Sequence, residues 1–210
     1  MFEVAKNYIR AGVILAACAA AAGSLEAQTL ASLPRTSVQA VATGDAKPLA
    51  AWTEFCQRVP SECAVDPSEP AQVQLTPRTW NAIVAINNRV NGSLRAMTDE
   101  DHWGLADRWD LPSDGAGDCE DFQLLKRRLL AQEGLPRRAM RMTVVIDGRG
   151  DGHAVLMIRT DRGDFVLDNK TNAIRPWYET GYVFVKRESQ DRVAWVSLGR
   201  ATSPTSTANW

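Results

Sequence analysis

The chain has 210 residues, of which 45% are hydrophobic and 23% are charged, as is usual for a globular domain. Lys and Arg together number 24 and Asp and Glu number 25, so the formal net charge is −1. This balance excludes nucleic-acid binding through bulk electrostatics, because no basic excess exists to neutralise a phosphate backbone. The two histidines, His102 and His153, are too few for a histidine-rich metal site.

Residues 1–27 have the pattern of a secretory signal peptide. Basic residues precede an apolar, Ala-rich run at 11–22, and small residues lead to a cleavage site before Gln28. The apolar run is too short to span a bilayer comfortably. A lipoprotein cleavage box ending at Cys18 is a less favoured alternative. The sequence therefore predicts an exported, periplasmic protein.

Export bears on the remaining cysteines, since disulfides form in oxidising compartments. Cys56 and Cys63 lie seven residues apart around Pro60, and we expect them to form a small disulfide loop. A metal site would need two more soft ligands nearby, and the sequence offers none. Cys119 is left unpaired. A buried apolar cysteine is common, but the neighbours of Cys119 indicate a chemical role.

Hydrophobic periodicity predicts helices in the first half of the chain and strands in the second. We expect a loose leader over 28–50, a domain over 51–200 and a frayed polar tail over 201–210. Within the domain, the predicted helices are 77–91 and 118–132, and the predicted strands are 140–146, 153–160, 164–168, 182–187 and 193–198. This order indicates an α+β fold with N-terminal helices packed on an antiparallel sheet.

Cys119, His153 and Asp168 form the candidate catalytic set. Cys119 lies in the first turn of a predicted helix, where the helix dipole favours a thiolate. If 161–162 form a two-residue loop, Asp168 lies opposite Val155 and shares one face of the sheet with His153, whereas a slip of one residue would turn Asp168 to the other face. A nucleophile, a base and a carboxylate that orients the base are the parts that covalent catalysis requires.

Three acidic residues surround the candidate nucleophile: Asp118, Glu120 and Asp121. Their charges should raise the pKa of Cys119, and a bound cation such as calcium would remove that conflict. The alternative is that they only cap the helix, with Asp118 as the N-cap residue and Asp121 three positions later. Spacing alone leaves both interpretations open.

Two segments together resemble the bacterial transglutaminase-like cysteine peptidases, which include the LapG-type periplasmic proteases. They are GDCEDFQLLKRRLL at 117–130 and GDGHAVLMIRTDRGDFVLDN at 150–169, and the resemblance extends over about 52–198. It implies a papain-like core with Cys119 as nucleophile, His153 as general base and acid, and Asp168 as the orienting residue.

The resemblance also implies calcium held by the acids beside the cysteine, which correspond to Asp118 and Glu120, with Asp121 as a further candidate. In LapG-type members the substrate is a large surface adhesin, and an inner-membrane receptor sequesters the enzyme. By analogy with transglutaminases, Trp109 is a candidate to help the backbone N–H of Cys119 stabilise an oxyanion, although most Trp side chains belong to a core.

Two other classes of function stay open. The same triad would serve an acyltransferase or cross-linking transglutaminase, which a primary amine would reveal through amide products. A catalytically silent, calcium-dependent binding module is the second alternative. A cell-wall peptidase of the NlpC/P60 type ranks lower, because it would usually carry another polar residue, often a second His, in place of Asp168.

Overall fold

A computed structural model describes residues 1, 32–201, 204, 206 and 207. Apart from Met1, the predicted signal peptide lies outside the described residues, and so does Cys18. In the part of the chain that is described, no helix combines the length and apolar character needed to cross a membrane.

Five α-helices precede most of the sheet. They are α1 (Ala50–Arg58), α2 (Pro60–Cys63), α3 (Pro77–Ser93), α4 (Asp99–Trp103) and α5 (Cys119–Gln132). Helix α3 begins with a reciprocal capping box between Thr76 and Thr79 and has Pro77 in its first turn. Cys56 in α1 and Cys63 in α2 form the expected disulfide, with their Cα atoms 5.6 Å apart.

A seven-stranded antiparallel sheet forms the second layer, and a two-stranded parallel pair stands apart from it. The strands are β1 (Gly44–Ala46), β2 (Arg95–Ala96), β3 (Ala116–Gly117), β4 (Met140–Ile146), β5 (Gly152–Thr160), β6 (Gly163–Leu167), β7 (Arg175–Pro176), β8 (Val183–Glu188) and β9 (Trp195–Ser197). The large sheet has the order β1-β9-β8-β4-β5-β6-β7, with β4 and β5 near its centre. Helix α5 packs on these two central strands, and α3 packs on α5. The predicted α+β fold class is confirmed.

The register of the β5–β6 hairpin is the one that the two-residue loop predicts. Thr160 pairs with Gly163, and Leu156 pairs with Leu167. Asp168 therefore follows the last paired residue of β6, while His153 lies near the start of β5, opposite Val145 of β4. The hairpin brings the two polar side chains to the same end of adjacent strands.

A loose leader is expected over 28–50, and within 32–50, the part that the structure describes, the segment is attached to the sheet at several points. Strand β1 pairs with β9, and the N–H of Ala40 donates to Oδ2 of Asp164 at 2.8 Å. Ala40 also belongs to a small apolar core on the sheet face opposite the helices, together with Val145, Val155, Met157, Val166 and Phe184. These contacts are made mainly by the backbone of the segment, so they leave no apolar periodicity in its sequence.

The parallel pair of β2 and β3 and the short helix α4 were not predicted. Each is two to five residues long, too short to show a hydrophobic period. The pairing of Arg95 with Ala116 and of Ala96 with Gly117 sets α4 beside the start of α5. This arrangement adds an acidic residue to the site described below.

Candidate active site

Cys119 is the first residue of α5 and is completely buried. Its Sγ accepts a hydrogen bond from the backbone N–H of Ala154 at 3.3 Å. Two acceptors lie close to the thiol: Oε2 of Glu120 at 3.1 Å and the carbonyl oxygen of Thr207 at 2.6 Å. Burial raises the pKa of Cys119 well above its ordinary value, and the charges of Glu120 and Asp118 raise it further.

His153 is buried beside the residue that contacts the thiol. Its Nε2 lies 2.9 Å from Oδ1 of Asp168. An ionised carboxylate can only accept, so Nε2 carries the hydrogen and Nδ1 of the neutral ring has a free lone pair. Nδ1 is buried and has no hydrogen-bond partner among the residues that the structure describes. The ring therefore has one nitrogen fixed by the carboxylate and one available to accept a proton.

Asp168 accepts several hydrogen bonds in addition to the one from His153. Its Oδ1 accepts from the N–H of Lys170 at 3.0 Å, and its Oδ2 accepts from the hydroxyl of Tyr182 at 2.6 Å. Burial acts to raise the pKa of Asp168, but the hydrogen bonds that its carboxylate accepts, first of all the one from His153, outweigh it, and the pKa is lowered overall. Asp168 is therefore held in its ionised form.

Two further residues hold the backbone at this point. Nζ of Lys126 and Nδ2 of Asn91 each donate to the carbonyl oxygen of Asp168 at 2.9 Å. Burial lowers the pKa of Lys126 to about 7. Neither residue was predicted, although Lys126 falls seven positions after Cys119 and four after Phe122, on the buried stripe of α5. A lysine on an apolar stripe is the signal that would have indicated a role for it.

A buried acidic cluster lies beside the cysteine and consists of Asp99, Asp118 and Glu120. Each offers a carboxylate oxygen within 4.8 Å of the others. Both oxygens of Asp118 and Oε1 of Glu120 are buried, and they have no hydrogen-bond partner among the described residues. Burial and then the charge of Asp99 raise the pKa of Asp118 to about 7, and burial raises that of Glu120 well above its ordinary value.

Asp107 extends this acidic region. Burial raises its pKa to about 6, and its Oδ1 is also buried without a partner among the described residues. Unpaired buried carboxylates are costly unless a cation or a proton neutralises them. The donor set, made only of oxygens, is one that fits a hard cation such as calcium.

The acids differ in part from those predicted. Asp118 is the N-cap residue of α5, but its side chain makes no capping hydrogen bond, so the capping-box interpretation is wrong. Asp121 is buried outside the cluster, and its Oδ1 accepts the N–H of Asp110 at 2.8 Å. Asp99 was missed, because only the β2–β3 pairing brings it to Asp118. Asp99 begins a run of three acidic residues that follows Thr98. This run is a weak sequence signal, because acidic residues are common in the first turn of a helix.

Thr207 belongs to the tail that was expected to be frayed, and that expectation is wrong at this residue, which is completely buried. Its hydroxyl donates to Oε2 of Glu120 at 3.1 Å and accepts from Nε1 of Trp109 at 3.3 Å. Trp109 is itself buried and packs edge-on against Trp195, with ring centroids 6.2 Å apart. The indole N–H of Trp109 and the thiol of Cys119 thus both contact Thr207.

Comparison with known proteins gives a family match over most of the chain. The family described as "Bacterial transglutaminase-like cysteine proteinase BTLCP" matches residues 42–203. Among solved structures, Legionella pneumophila LapG is similar at 25% identity, over 52% of this chain and 64% of that chain, with a TM-score of 0.46. This match spans less than two thirds of the LapG chain.

The calcium-bound form of Legionella pneumophila LapG is similar at 24% identity, over 60% of this chain and 72% of that chain, with a TM-score of 0.49. No curated protein matches this chain. The α+β architecture is the one expected for the papain-like, transglutaminase-like core of the matched family. Because the family match covers well over half of the residues, this chain belongs to the bacterial transglutaminase-like cysteine proteinases, a family of cysteine peptidases and hence of hydrolases, as the sequence predicted.

Proposed function

We propose that this protein is an endopeptidase that uses Cys119 as its nucleophile, His153 as general base and acid, and Asp168 to orient the imidazole. The observation that carries the proposal is the hydrogen bond between Nε2 of His153 and Asp168. It leaves Nδ1 without a partner among the described residues, in the buried site where Ala154 contacts the thiol. In this proposal the three residues supply the nucleophile, the base and the orienting group that covalent catalysis needs.

The reaction follows from these positions. Nδ1 of His153 takes the proton of Cys119, and Sγ attacks the carbonyl carbon of a substrate amide as the carbonyl electron pair moves to oxygen. The protonated imidazole then gives its proton to the leaving amine, the C–N bond breaks, and an acyl-enzyme remains. His153 next deprotonates a water that attacks the thioester, which releases the carboxylate product and the thiol. The indole N–H of Trp109 is a candidate donor to the oxyanion.

Calcium fits the buried acidic cluster, where Asp99, Asp118 and Glu120 would hold it. A bound calcium ion would supply positive charge beside Cys119 and offset the carboxylates that raise its pKa. The support is the set of buried carboxylate oxygens without partners among the described residues. Asp121 is not proposed as a ligand, because it lies outside the group of carboxylates that converge on one point.

A periplasmic location is part of the proposal, supported by the signal-peptide pattern of residues 1–27 and by the disulfide between Cys56 and Cys63. The proposed substrate is an exported protein such as a surface adhesin. A membrane receptor that sequesters the enzyme is the corresponding proposal for its regulation. Both follow from the resemblance of this chain to LapG-type proteases.

The test is cleavage of exported proteins by the mature chain, with new N-termini identified by mass spectrometry, in calcium and in chelator. We expect cleavage in calcium, loss of cleavage in Cys119→Ala and His153→Gln, and no loss in the control Glu100→Gln, which changes an exposed acid. Retention of cleavage in Cys119→Ala would contradict the mechanism. Amide products formed on adding a primary amine, without hydrolysis, would identify an acyltransferase instead.

A further inference from the structure

The segment that contains Pro204, Ser206 and Thr207 lies directly over the candidate nucleophile. The carbonyl oxygen of Thr207 is 2.6 Å from Sγ of Cys119. The Thr207 side chain is completely buried, and its hydroxyl bridges Trp109 and Glu120. Thr207, which is 88 positions from Cys119 in sequence, thus covers the thiol.

The Thr207 carbonyl occupies the position beside the thiol that a reaction partner, the base or the substrate, would need. The thiol has one hydrogen, and the acceptors around it are the Thr207 carbonyl and Glu120. In the described part of the chain nothing accepts from or donates to Nδ1 of His153. Among the described residues no hydrogen bond links Cys119 to Nδ1 of His153, and the thiol donates to the Thr207 carbonyl instead.

The backbone of β5 is shaped to receive this segment. Gly152, the residue before His153, lies so close to the segment that an added Cβ would collide with the carbonyl oxygen of Ser206 and would lie 2.8 Å from Cβ of Pro204. Glycine permits this close approach of two backbones, because it has no side chain to separate them. Pro204 and Ser206 are only partly buried, so the anchor is Thr207.

We propose that the segment carrying Pro204, Ser206 and Thr207 binds in the peptide cleft of its own chain, with the Thr207 carbonyl at Cys119, and that it blocks the active site until it leaves. The proposal rests on the proposed function, because it assigns regulation to the same site. The ligand class is an extended peptide with a small hydroxyl-bearing residue whose carbonyl faces the thiol. A substrate must displace this segment, so removing it should increase the accessibility of Cys119.

The experiment measures the rate at which iodoacetamide alkylates Cys119 in the mature protein, by intact mass, with calcium present throughout. Four chains are compared: the wild type, a chain ending at Ser203, Thr207→Val and Thr207→Ser. We expect alkylation to be about tenfold or more faster in the shortened chain, because its thiol no longer depends on opening of the segment. Thr207→Val should be intermediate, since it loses both hydroxyl contacts, and Thr207→Ser should resemble the wild type.

A synthetic peptide with the sequence of residues 201–210 provides the complementary arm. Added to the shortened chain, it should slow alkylation again, whereas the same peptide with Val in place of Thr207 should slow it less. This arm also shows that the shortened chain is folded. Equal alkylation rates in the wild type and the shortened chain, with no effect of the peptide, would overturn the proposal.

The peptidase assay is run separately on the same proteins. Faster alkylation without any cleavage would leave the blocking segment supported and the peptidase function contradicted. Cleavage at equal rates in the wild type and in the chain ending at Ser203 would support the peptidase function and contradict the blocking segment. The two proposals can therefore fail independently.

Discussion

The hydroxyl of Tyr182 donates a 2.6 Å hydrogen bond to Oδ2 of Asp168, the carboxylate oxygen that His153 does not contact. Burial and then the hydrogen bond to Asp168 raise the pKa of Tyr182, so the hydroxyl stays protonated and remains a donor. The Tyr182 ring also meets the His153 ring edge-on, with centroids 5.6 Å apart. Tyr182 therefore holds both the carboxylate and the imidazole in place.

Replacing Tyr182 with Phe should lower kcat about tenfold with a smaller change in KM. The ring contact stays, but the carboxylate loses a charge-assisted hydrogen bond of the order of 1.5–3 kcal/mol at Oδ2 and is then held only through Oδ1, by His153 and Lys170. Steady-state kinetics on any cleaved substrate provide the measurement. Tyr178→Phe is the control, because Tyr178 is half exposed. Equal kcat values in the two variants would mean that Tyr182 does not position Asp168.

Calcium should raise the thermal unfolding temperature of this protein. A ligand that binds only the folded state at 100 times its Kd adds about 2.7 kcal/mol to the free energy of unfolding. Asp99→Asn should weaken that response, since Asp99 belongs to the buried cluster, whereas Glu100→Gln on the same helix should not. Differential scanning calorimetry over a calcium titration gives both results. A calcium response as large in Asp99→Asn as in the wild type would remove Asp99 from the site.

A buried ion pair ties α5 to the sheet and gives a prediction on stability. Nη1 of Arg127 lies 2.6 Å from Oε2 of Glu188, and Glu188 also accepts from Nε1 of Trp52 at 2.8 Å. Arg127→Met leaves a buried carboxylate without its cation and should cost about 3–5 kcal/mol in the free energy of unfolding. Arg192→Met is the control, because its pair with Asp45 is exposed and should cost less than about 1 kcal/mol. Urea unfolding of both variants is the measurement, and similar costs would contradict the assignment.

Lys126 makes the stability depend on pH. Its pKa is about 7 in the folded protein and 10.5 ordinarily, so between these values the unfolded chain binds a proton that the folded chain does not. The free energy of unfolding should therefore rise with pH from about 7 upward, by up to about 1.4 kcal/mol per pH unit for this group.

The measurement is denaturant unfolding of the wild type and Lys126→Met at pH 7, 8 and 9 (about one unit apart). Asn91 still donates to the Asp168 carbonyl in the variant. The difference in unfolding free energy between the two proteins should change with pH. Taking this difference removes the contribution of Lys186, which both proteins share and whose pKa is also lowered by burial, to about 8. A difference that is constant over this range would mean that Lys126 is charged in the folded protein throughout.

The sequence predicted those parts of the site that local rules control. The two-residue loop at 161–162 sets the register of its hairpin, so the neighbouring positions of His153 and Asp168 followed from counting residues. The turn cluster before Cys119 likewise located the start of α5.

The remaining parts depend on contacts between distant segments. Asp99 joins Asp118 through two-residue strands that carry no periodic signal. Thr207 lies in a polar tail whose burial comes from hydrogen bonds and not from apolar side chains, so no hydrophobic pattern could reveal it. The tail is polar, as its composition indicates, but a polar composition does not determine where a segment lies in the fold.

The pairing of β1 with β9 has a consequence for the order of folding. Thr43 and Ser197 are 154 residues apart in sequence, and they contact each other at the edge of the sheet. During synthesis β1 has no strand partner until β9 has been made, and closing so long a loop is slow. We therefore expect the hairpin of β5 and β6 to form early and the edge strand β1 to join last, as the step that completes the sheet.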